Sequence, residues 1–126
     1  MIKGFAPYSD RFLVHDKEVL FPCTVYSAVI MDDRVIVGFS KDHLQAKFPE
    51  LDSDRSIWCY DLNGNILWYI EKPYYIDKYT GEKVIYDQSF GGVGFNKEAG
   101  KIYAYSRKGY ELDPYTGKLS NDFEIR

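Results

Sequence analysis

The fold is decided by the stretch Ile57-Trp-Cys-Tyr-Asp-Leu-Asn-Gly-Asn-Ile-Leu-Trp-Tyr-Ile70. Two short runs of aromatic and β-branched residues flank Asn63-Gly64, and such residues fit the pleated surface of a β-sheet. Asn-Gly is the strongest short hairpin signal, because both central residues of a type I′ turn need a positive φ. The stretch therefore predicts a β-hairpin closed by a type I′ turn.

The same pattern extends outward in both directions along the chain. Short apolar runs separated by turn residues are typical of half-buried strands. They recur so that residues 24–71 and residues 88–125 each predict four antiparallel strands of one design. The main difference is an insertion in the first unit, Lys41–Arg55, which only Arg107-Lys108 replaces in the second. The sequence therefore predicts two four-stranded, blade-like units.

Three features add to these units. The insertion contains Leu44 and Phe48 four residues apart, before Pro49, and this spacing predicts one short helix. Residues 11–21 predict a first hairpin, which is expected to cover an exposed face of a unit. In the connector, Asp77-Lys-Tyr-Thr-Gly-Glu-Lys83 repeats the turn chemistry and predicts one more hairpin, ending at Tyr86.

Composition places the chain in the all-β class. Its 126 residues are 45% hydrophobic and 17% aromatic, with 12 Tyr, which suits one domain over residues 1–126. The 16 Lys and Arg against 19 Asp and Glu give a net charge of −3, so neither disorder nor nucleic-acid binding is favoured. The uncharged run from Val19 to Met31 is too short to span a bilayer. No apolar signal segment precedes Asp10, so a cytoplasmic location is expected.

Two segments carry a resemblance to a known family. Tyr60-Asp-Leu-Asn-Gly-Asn-Ile-Leu-Trp68 and Glu111-Leu-Asp-Pro-Tyr-Thr-Gly-Lys-Leu119 resemble the blade repeat of pyrroloquinoline-quinone-type β-propellers, in which an Asp-x-x-x-Gly turn joins the outer strands. The second copy has Ser120 where the first has Trp68. The resemblance implies blade architecture, and it is not specific for cofactor binding because the motif recurs in many propellers without a quinone. A closed propeller needs at least ~4 blades of roughly 40 residues, so we expect a truncated, non-closed arrangement.

No motif for catalysis or metal binding is present. The histidines, His15 and His43, have no spacing that suggests a shared site. Cys23 and Cys59 are expected to be buried free thiols. Gly91-Gly-Val-Gly94 lacks the rest of a phosphate-binding fingerprint. We therefore predict no catalytic residue, no metal site and no cofactor.

Two clusters are candidates for partner binding. The acidic excess lies in residues 1–63, with ten acidic and seven basic residues, and peaks in the insertion at Asp42, Glu50, Asp52 and Asp54. Complementary charge on a loop steers a basic partner, although a solvated loop would look the same. Tyr74, Tyr75 and Tyr79 form the second cluster, because Tyr is enriched at interfaces. Packing at a strand edge is the alternative for these tyrosines.

A small, acidic, single-domain β protein without a catalytic constellation resembles bacterial immunity proteins of the contact-dependent growth-inhibition type. That resemblance implies a non-enzymatic protein that neutralises a cognate toxin, such as a basic nuclease of the EndoU ribonuclease class, by occluding its active site or substrate groove. It implies no direct contact with nucleic acid or membrane. A propeller-like interaction module that oligomerises or binds another host protein is the alternative, and a small hydrolase or nuclease using His15 or His43 is the third.

Overall fold

The computed structural model describes residues 9–125, which form eleven β-strands and one short helix. In chain order the elements are β1 (Ser9–Val14), β2 (Lys17–Ile30), β3 (Arg34–Phe39), α1 (Lys41–Lys47), β4 (Ile57–Asp61), β5 (Ile66–Tyr69), β6 (Tyr74–Ile76), β7 (Lys83–Ile85), β8 (Gly92–Asn96), β9 (Lys101–Tyr105), β10 (Lys108–Leu112) and β11 (Leu119–Glu124).

Every pairing between these strands is antiparallel. Strands β1 to β5 form sheet 1 in sequence order, strands β8 to β11 form sheet 2, and β6 pairs with β7 alone. Neither larger sheet closes on itself. The all-β class, the open blade-like units, the connector hairpin and the short helix are confirmed. Sheet 1 contains the four predicted strands of the first unit and one strand more.

The extra strand exists because β2 is longer than predicted. The sequence suggests two separate strands around Pro22, whereas the structure has one strand of 14 residues. The first half of β2 pairs with β1 and the second half with β3. Pro22 lies between the paired positions Leu20 and Val25, where the register with β1 shifts, so the N–H that proline lacks interrupts no regular pairing.

A bulge in β2 changes the face of sheet 1 to which alternate side chains of the strand point. Val25 pairs with Phe39 and Ser27 with Gly38, which leaves Tyr26 as an extra residue on β2. Before the bulge, Val25 belongs to the core on the outer face of sheet 1, and after it Val29 belongs to the core between the sheets. One strand thereby contributes to both cores.

The N-terminal hairpin covers the outer face of sheet 1. Val14, Val19 and Phe21 pack in one cluster with residues of β3, β4 and α1. The rings of Phe21 and Tyr60 meet edge to face at 5.1 Å, a favoured geometry for aromatic pairs. The tip of the hairpin is fixed by the Lys17 ammonium group, which donates to the side chain of Asn63.

The inner face of sheet 1 packs on sheet 2. Apolar side chains from both sheets form one buried cluster: Val29, Ile36, Ile57, Cys59, Trp68, Ile70, Tyr74, Phe90, Val93, Ile102, Ala104, Tyr110, Leu112 and Leu119. Serine hydroxyls on sheet 1 satisfy backbone groups at the start of sheet 2. The Val93 N–H donates to Ser27 Oγ at 3.1 Å, and the Phe90 N–H donates to Ser56 Oγ at 3.2 Å.

The hairpin around Asn63-Gly64 is confirmed, but the predicted turn type is wrong. Gly64 has a φ of +86°, whereas Asn63 does not have a positive φ. The Asp61 carboxylate accepts the backbone N–H groups of Asn63 and Asn65 at 2.8 and 2.9 Å. This local capping favours a three-residue loop that ends in a left-handed glycine over a type I′ turn.

Candidate functional site

The connector hairpin, Tyr74–Ile85, is largely exposed. Among the strands of residues 9–125, β6 and β7 pair only with each other. From residue 75 to residue 83 every residue except Asp77 is exposed. The exposed residues include apolar side chains: Tyr75 is 42% exposed, Ile76 49% and Tyr79 90%. Contiguous exposed apolar side chains are typical of interaction sites.

The base of the connector hairpin is held rigidly by one buried tyrosine. The hydroxyl of Tyr110 donates to the Tyr74 carbonyl at 2.5 Å and accepts the Tyr74 N–H at 3.3 Å. The hydroxyl of Tyr86 lies 3.0 Å from the same oxygen. Burial raises the pKa of Tyr110 well above its ordinary value, so the hydroxyl stays a hydrogen-bond donor. These bonds fix the hairpin at its base, and nearer the tip the Lys83 ammonium nitrogen lies 3.6 Å from the Glu71 carboxylate.

The tip of the connector hairpin, which we call the free turn, is Asp77–Gly81. The Asp77 carboxylate accepts the N–H groups of Tyr79 and Thr80 at 2.8 and 3.2 Å. The Gly81 N–H donates to the Asp77 carbonyl at 2.7 Å, and Gly81 has a φ of +74°. These bonds keep Asp77 occupied within the turn. They leave the Tyr79 ring as the outermost apolar group.

The two ends of the insertion Lys41–Arg55 are joined by an ion pair between partly exposed Lys41 and buried Asp54. The Asp54 carboxylate is 7% exposed and lies 2.9 Å from the Lys41 ammonium nitrogen. This contact raises the pKa of Lys41. Asp54 therefore holds the end of the insertion against its start.

The insertion and the connector hairpin meet at Lys72. Its ammonium nitrogen lies 2.7 Å from the Asp87 carboxylate and 3.2 Å from that of Asp52. The hydrogen bond with Asp87 is the main reason that the pKa of Lys72 is raised, and Lys72 in turn lowers the pKa of Asp87. Asp52 of the insertion is thus paired with Lys72, which lies just before the connector hairpin.

The predicted binding residues divide into two groups. Tyr74 is buried, packs on the Tyr110 ring at 5.3 Å and donates its hydroxyl to the Leu119 carbonyl. Asp54 is also buried, beside Lys41. The exposed members are Asp42, Glu50, Asp52, Tyr75 and Tyr79, and their role in binding a partner stays a prediction.

Sequence reasoning missed two exposed residues of the connector hairpin, Ile76 and Ile85. Ile85 is 60% exposed and lies directly across from Tyr74 in the pairing of β6 with β7. An alternating strand with one buried face would hide alternate side chains, but the connector hairpin is covered only at its base. The repeated turn chemistry around Asp77 was the one signal that a hairpin, and so a pair of exposed faces, lies here.

The two histidines and the two cysteines lie apart from the connector hairpin in sequence. The His15 ring donates to the Met31 carbonyl at 2.8 Å, while His43 is exposed on α1 with its ring 5.7 Å from that of Tyr26. Cys23 and Cys59 are buried and unpaired thiols, as predicted, and burial raises the pKa of Cys59 to about 12. Within residues 9–125, no three His, Cys, Asp or Glu side chains are grouped to hold a metal ion.

Two further findings complete this description. The helix α1 has seven residues, and the described part of the chain contains no helix long and apolar enough to cross a membrane. Comparison of the chain with family models, with curated proteins and with solved structures found no match.

Proposed function

We propose that this protein is a non-catalytic immunity protein that binds a cognate toxin and occludes its active site or substrate groove. The observation that carries the proposal is the connector hairpin, which presents Tyr75, Ile76 and Tyr79 to solvent from a base fixed by Tyr110. A narrow hairpin of this shape suits a groove in a partner. Aromatic residues at its tip are of the type that forms binding hot spots.

Rigidity at the base supports this role. A binding element that is ordered before it meets its partner loses less conformational entropy on association. The three contacts at the Tyr110 hydroxyl and the ion pairs of Lys72 order the residues on either side of the connector hairpin. On association, the partner therefore restricts only the exposed side chains of the connector hairpin, because folding has already ordered its base.

Charge supports a basic partner. The protein has a net charge of −3, and Asp42 and Glu50 expose carboxylates on the insertion that Lys72 ties to the connector. Long-range attraction of this kind raises the association rate with a basic protein. We propose a basic nuclease domain as the toxin, an EndoU-class ribonuclease being the first to test, and the cytoplasm as the place of action.

The experiment first asks whether the adjacent gene encodes a large secreted protein with a toxic C-terminal domain, and then co-expresses that domain with this protein. We expect the two proteins to co-purify in equal amounts and the wild-type protein to protect cells that express the toxin. A variant with Tyr75→Ser and Tyr79→Ser is expected to remain folded and to lose protection. Tyr115→Ser, which removes another exposed tyrosine, 65% exposed compared with 90% for Tyr79, is the control. Full protection by the hairpin variant, or no complex with the wild type, would contradict the proposal.

A second candidate function is an interaction module that self-associates. It is favoured by the face of sheet 2 that points away from sheet 1, where the Tyr103 and Phe123 rings meet at 5.1 Å and the Phe123 ring covers Gly109. Phe123 is 37% exposed. Sedimentation equilibrium distinguishes the two functions. A dimer that Phe123→Ser converts to monomers would favour self-association, and a monomer would favour the immunity function.

A further inference from the structure

The free turn has a second copy in the same chain, Asp113–Gly117, which we call the docked turn. Both have the pattern Asp-x-Tyr-Thr-Gly. In the docked turn the Asp113 carboxylate accepts the Tyr115 N–H at 2.8 Å, and the Gly117 N–H donates to the Asp113 carbonyl at 2.9 Å. Gly117 has a φ of +77°. The two turns therefore share one conformation, and they differ in sequence only at Lys78 and Pro114.

Sheet 1 recognises the docked turn through two side chains. The Arg34 guanidinium carbon lies 4.7 Å from the centre of the Tyr115 ring, and Arg34 Nη1 donates to the Pro114 carbonyl at 3.1 Å. The Trp68 indole N–H donates to the same carbonyl at 2.9 Å. The structure thus shows which chemistry binds a turn of this kind: a cation over the tyrosine ring and N–H donors on the preceding carbonyl.

The free turn presents the same two groups without such a neighbour. Tyr79 corresponds to Tyr115, and the Lys78 carbonyl corresponds to that of Pro114. Within residues 9–125, no cation lies over the Tyr79 ring and no side chain donates to the Lys78 carbonyl. The ring is 90% exposed, compared with 65% for Tyr115. The free turn therefore presents the two groups that Arg34 and Trp68 bind in the docked turn. Within residues 9–125 no side chain binds these groups of the free turn in the same way.

We infer that the free turn binds an arginine side chain on the partner protein, with the guanidinium over the Tyr79 ring and one of its N–H groups donated to the Lys78 carbonyl. This inference rests on the proposed function, since it names the chemistry of the surface that the connector hairpin meets. Arginine fits both contacts at once because its guanidinium is planar, stacks on aromatic rings and carries five donors. A lysine ammonium group is a compact, strongly hydrated charge and is a poorer match.

The first test asks whether Arg34 and Trp68 can bind a turn that has the sequence of the free turn. Pro114→Lys gives the docked turn the sequence of the free turn. We expect the Trp68 indole N–H to keep its protection from hydrogen exchange within about threefold of wild type. A folded Pro114→Lys protein in which that N–H exchanges as fast as in Arg34→Met would overturn the inference.

The second test needs no toxin. Two blocked peptides, Gly-Arg-Gly-Trp-Gly and its lysine counterpart, are titrated into the isotope-labelled full-length protein and followed by NMR. We expect shifts of the amides of residues 78–80 with the arginine peptide that are about threefold larger than with the lysine peptide. Tyr79→Phe should keep the response and Tyr79→Leu should abolish it, while residues 113–117 should not respond because their turn is occupied.

Equal responses to the two peptides, or an unchanged response in Tyr79→Leu, would overturn the arginine inference whether or not a toxin binds. The reverse outcome is also distinct. A response specific to arginine, together with no complex between the protein and the toxin domain, would contradict the immunity function and leave arginine recognition by the free turn supported.

Discussion

The docked turn and the free turn share one sequence pattern and the bonds that the tyrosine and glycine N–H groups donate to the aspartate carboxylate and carbonyl, but they have different surroundings. Gly117 of the docked turn lies against the Trp68 ring, whereas space around Gly81 of the free turn is open. The shared conformation shows that the turn is specified locally, by the aspartate cap and the left-handed glycine. Docking is specified by the neighbour. The conformation of the turn does not require an exposed Tyr79, so the Tyr79 side chain is available for a partner.

The largest expected effect breaks the docked turn and spares the free one. Alanine is strained at both glycines because both have a positive φ, at a cost of about 1 kcal/mol. At Gly117 a Cβ would also lie 2.5 Å from the Trp68 ring, and overpacking adds about 1–3 kcal/mol. Urea unfolding should show a loss of about 3 kcal/mol for Gly117→Ala and about 1 kcal/mol for Gly81→Ala. Equal losses would show that the docked contact does not matter.

A smaller effect comes from removing the arginine that recognises the docked turn. Arg34→Met removes a hydrogen bond to the Pro114 carbonyl and a cation over the Tyr115 ring. Because the Arg34 side chain is only 14% exposed, we expect a loss of about 1–2 kcal/mol in the free energy of unfolding. Lys78→Met, a matched loss of one cation in the free turn, should change it by less than about 0.5 kcal/mol. Similar losses for the two variants would contradict the difference between the turns.

The two turns should lose equal stability when a hydrogen bond within each turn is removed. Thr80 Oγ1 accepts the Glu82 N–H at 3.2 Å, and Thr116 Oγ1 accepts the Lys118 N–H at 3.2 Å. Thr80→Val and Thr116→Val each remove one local hydrogen bond, so each should cost about 0.5 kcal/mol by thermal unfolding. A much larger loss at Thr116 would mean that docking, and not only the local bonds, shapes the turn.

The smallest expected effect concerns the pH dependence of the ion pair between Lys72 and Asp87, which flank the connector hairpin. Lys72 lowers the pKa of Asp87 in the folded protein. This pair therefore contributes stability above the ordinary pKa of aspartate, and the contribution is lost as the pH falls through the lowered value. In Lys72→Met, NMR titration should show the pKa of Asp87 moving up towards its ordinary value. A pKa that stays low would assign the shift to another group.

Most of the fold could be predicted from the sequence because its signals are local. Alternating apolar residues and turn residues define the hairpins, and Leu44 and Phe48 define the helix. The continuous β2 could not be predicted, because its tolerance of Pro22 depends on a register shift with β1. The turn at Gly64 also differs from prediction, since the Asp61 cap outweighs the preference of Asn-Gly for a type I′ turn.

The candidate site was predicted only in part. Tyr74 and Tyr75 are neighbours in sequence on opposite faces of β6, and only contact with Tyr110, 36 residues away, buries one of them. In the same way, Asp54 differs from Glu50 through its pairing with Lys41. Such contacts between distant residues decide which members of a cluster remain exposed, and composition does not contain them.

The measurement that tests the central claim most directly is a matched pair of leucine variants at the two tyrosines. Tyr79→Leu and Tyr115→Leu are compared by calorimetric titration with the toxin domain and by urea unfolding. Tyr79→Leu should weaken binding about tenfold or more and leave the free energy of unfolding within about 0.3 kcal/mol of wild type. Tyr115→Leu should lower that free energy by about 0.5–1 kcal/mol and leave binding unchanged. The opposite assignment, with binding lost at Tyr115 and retained at Tyr79, would contradict the account.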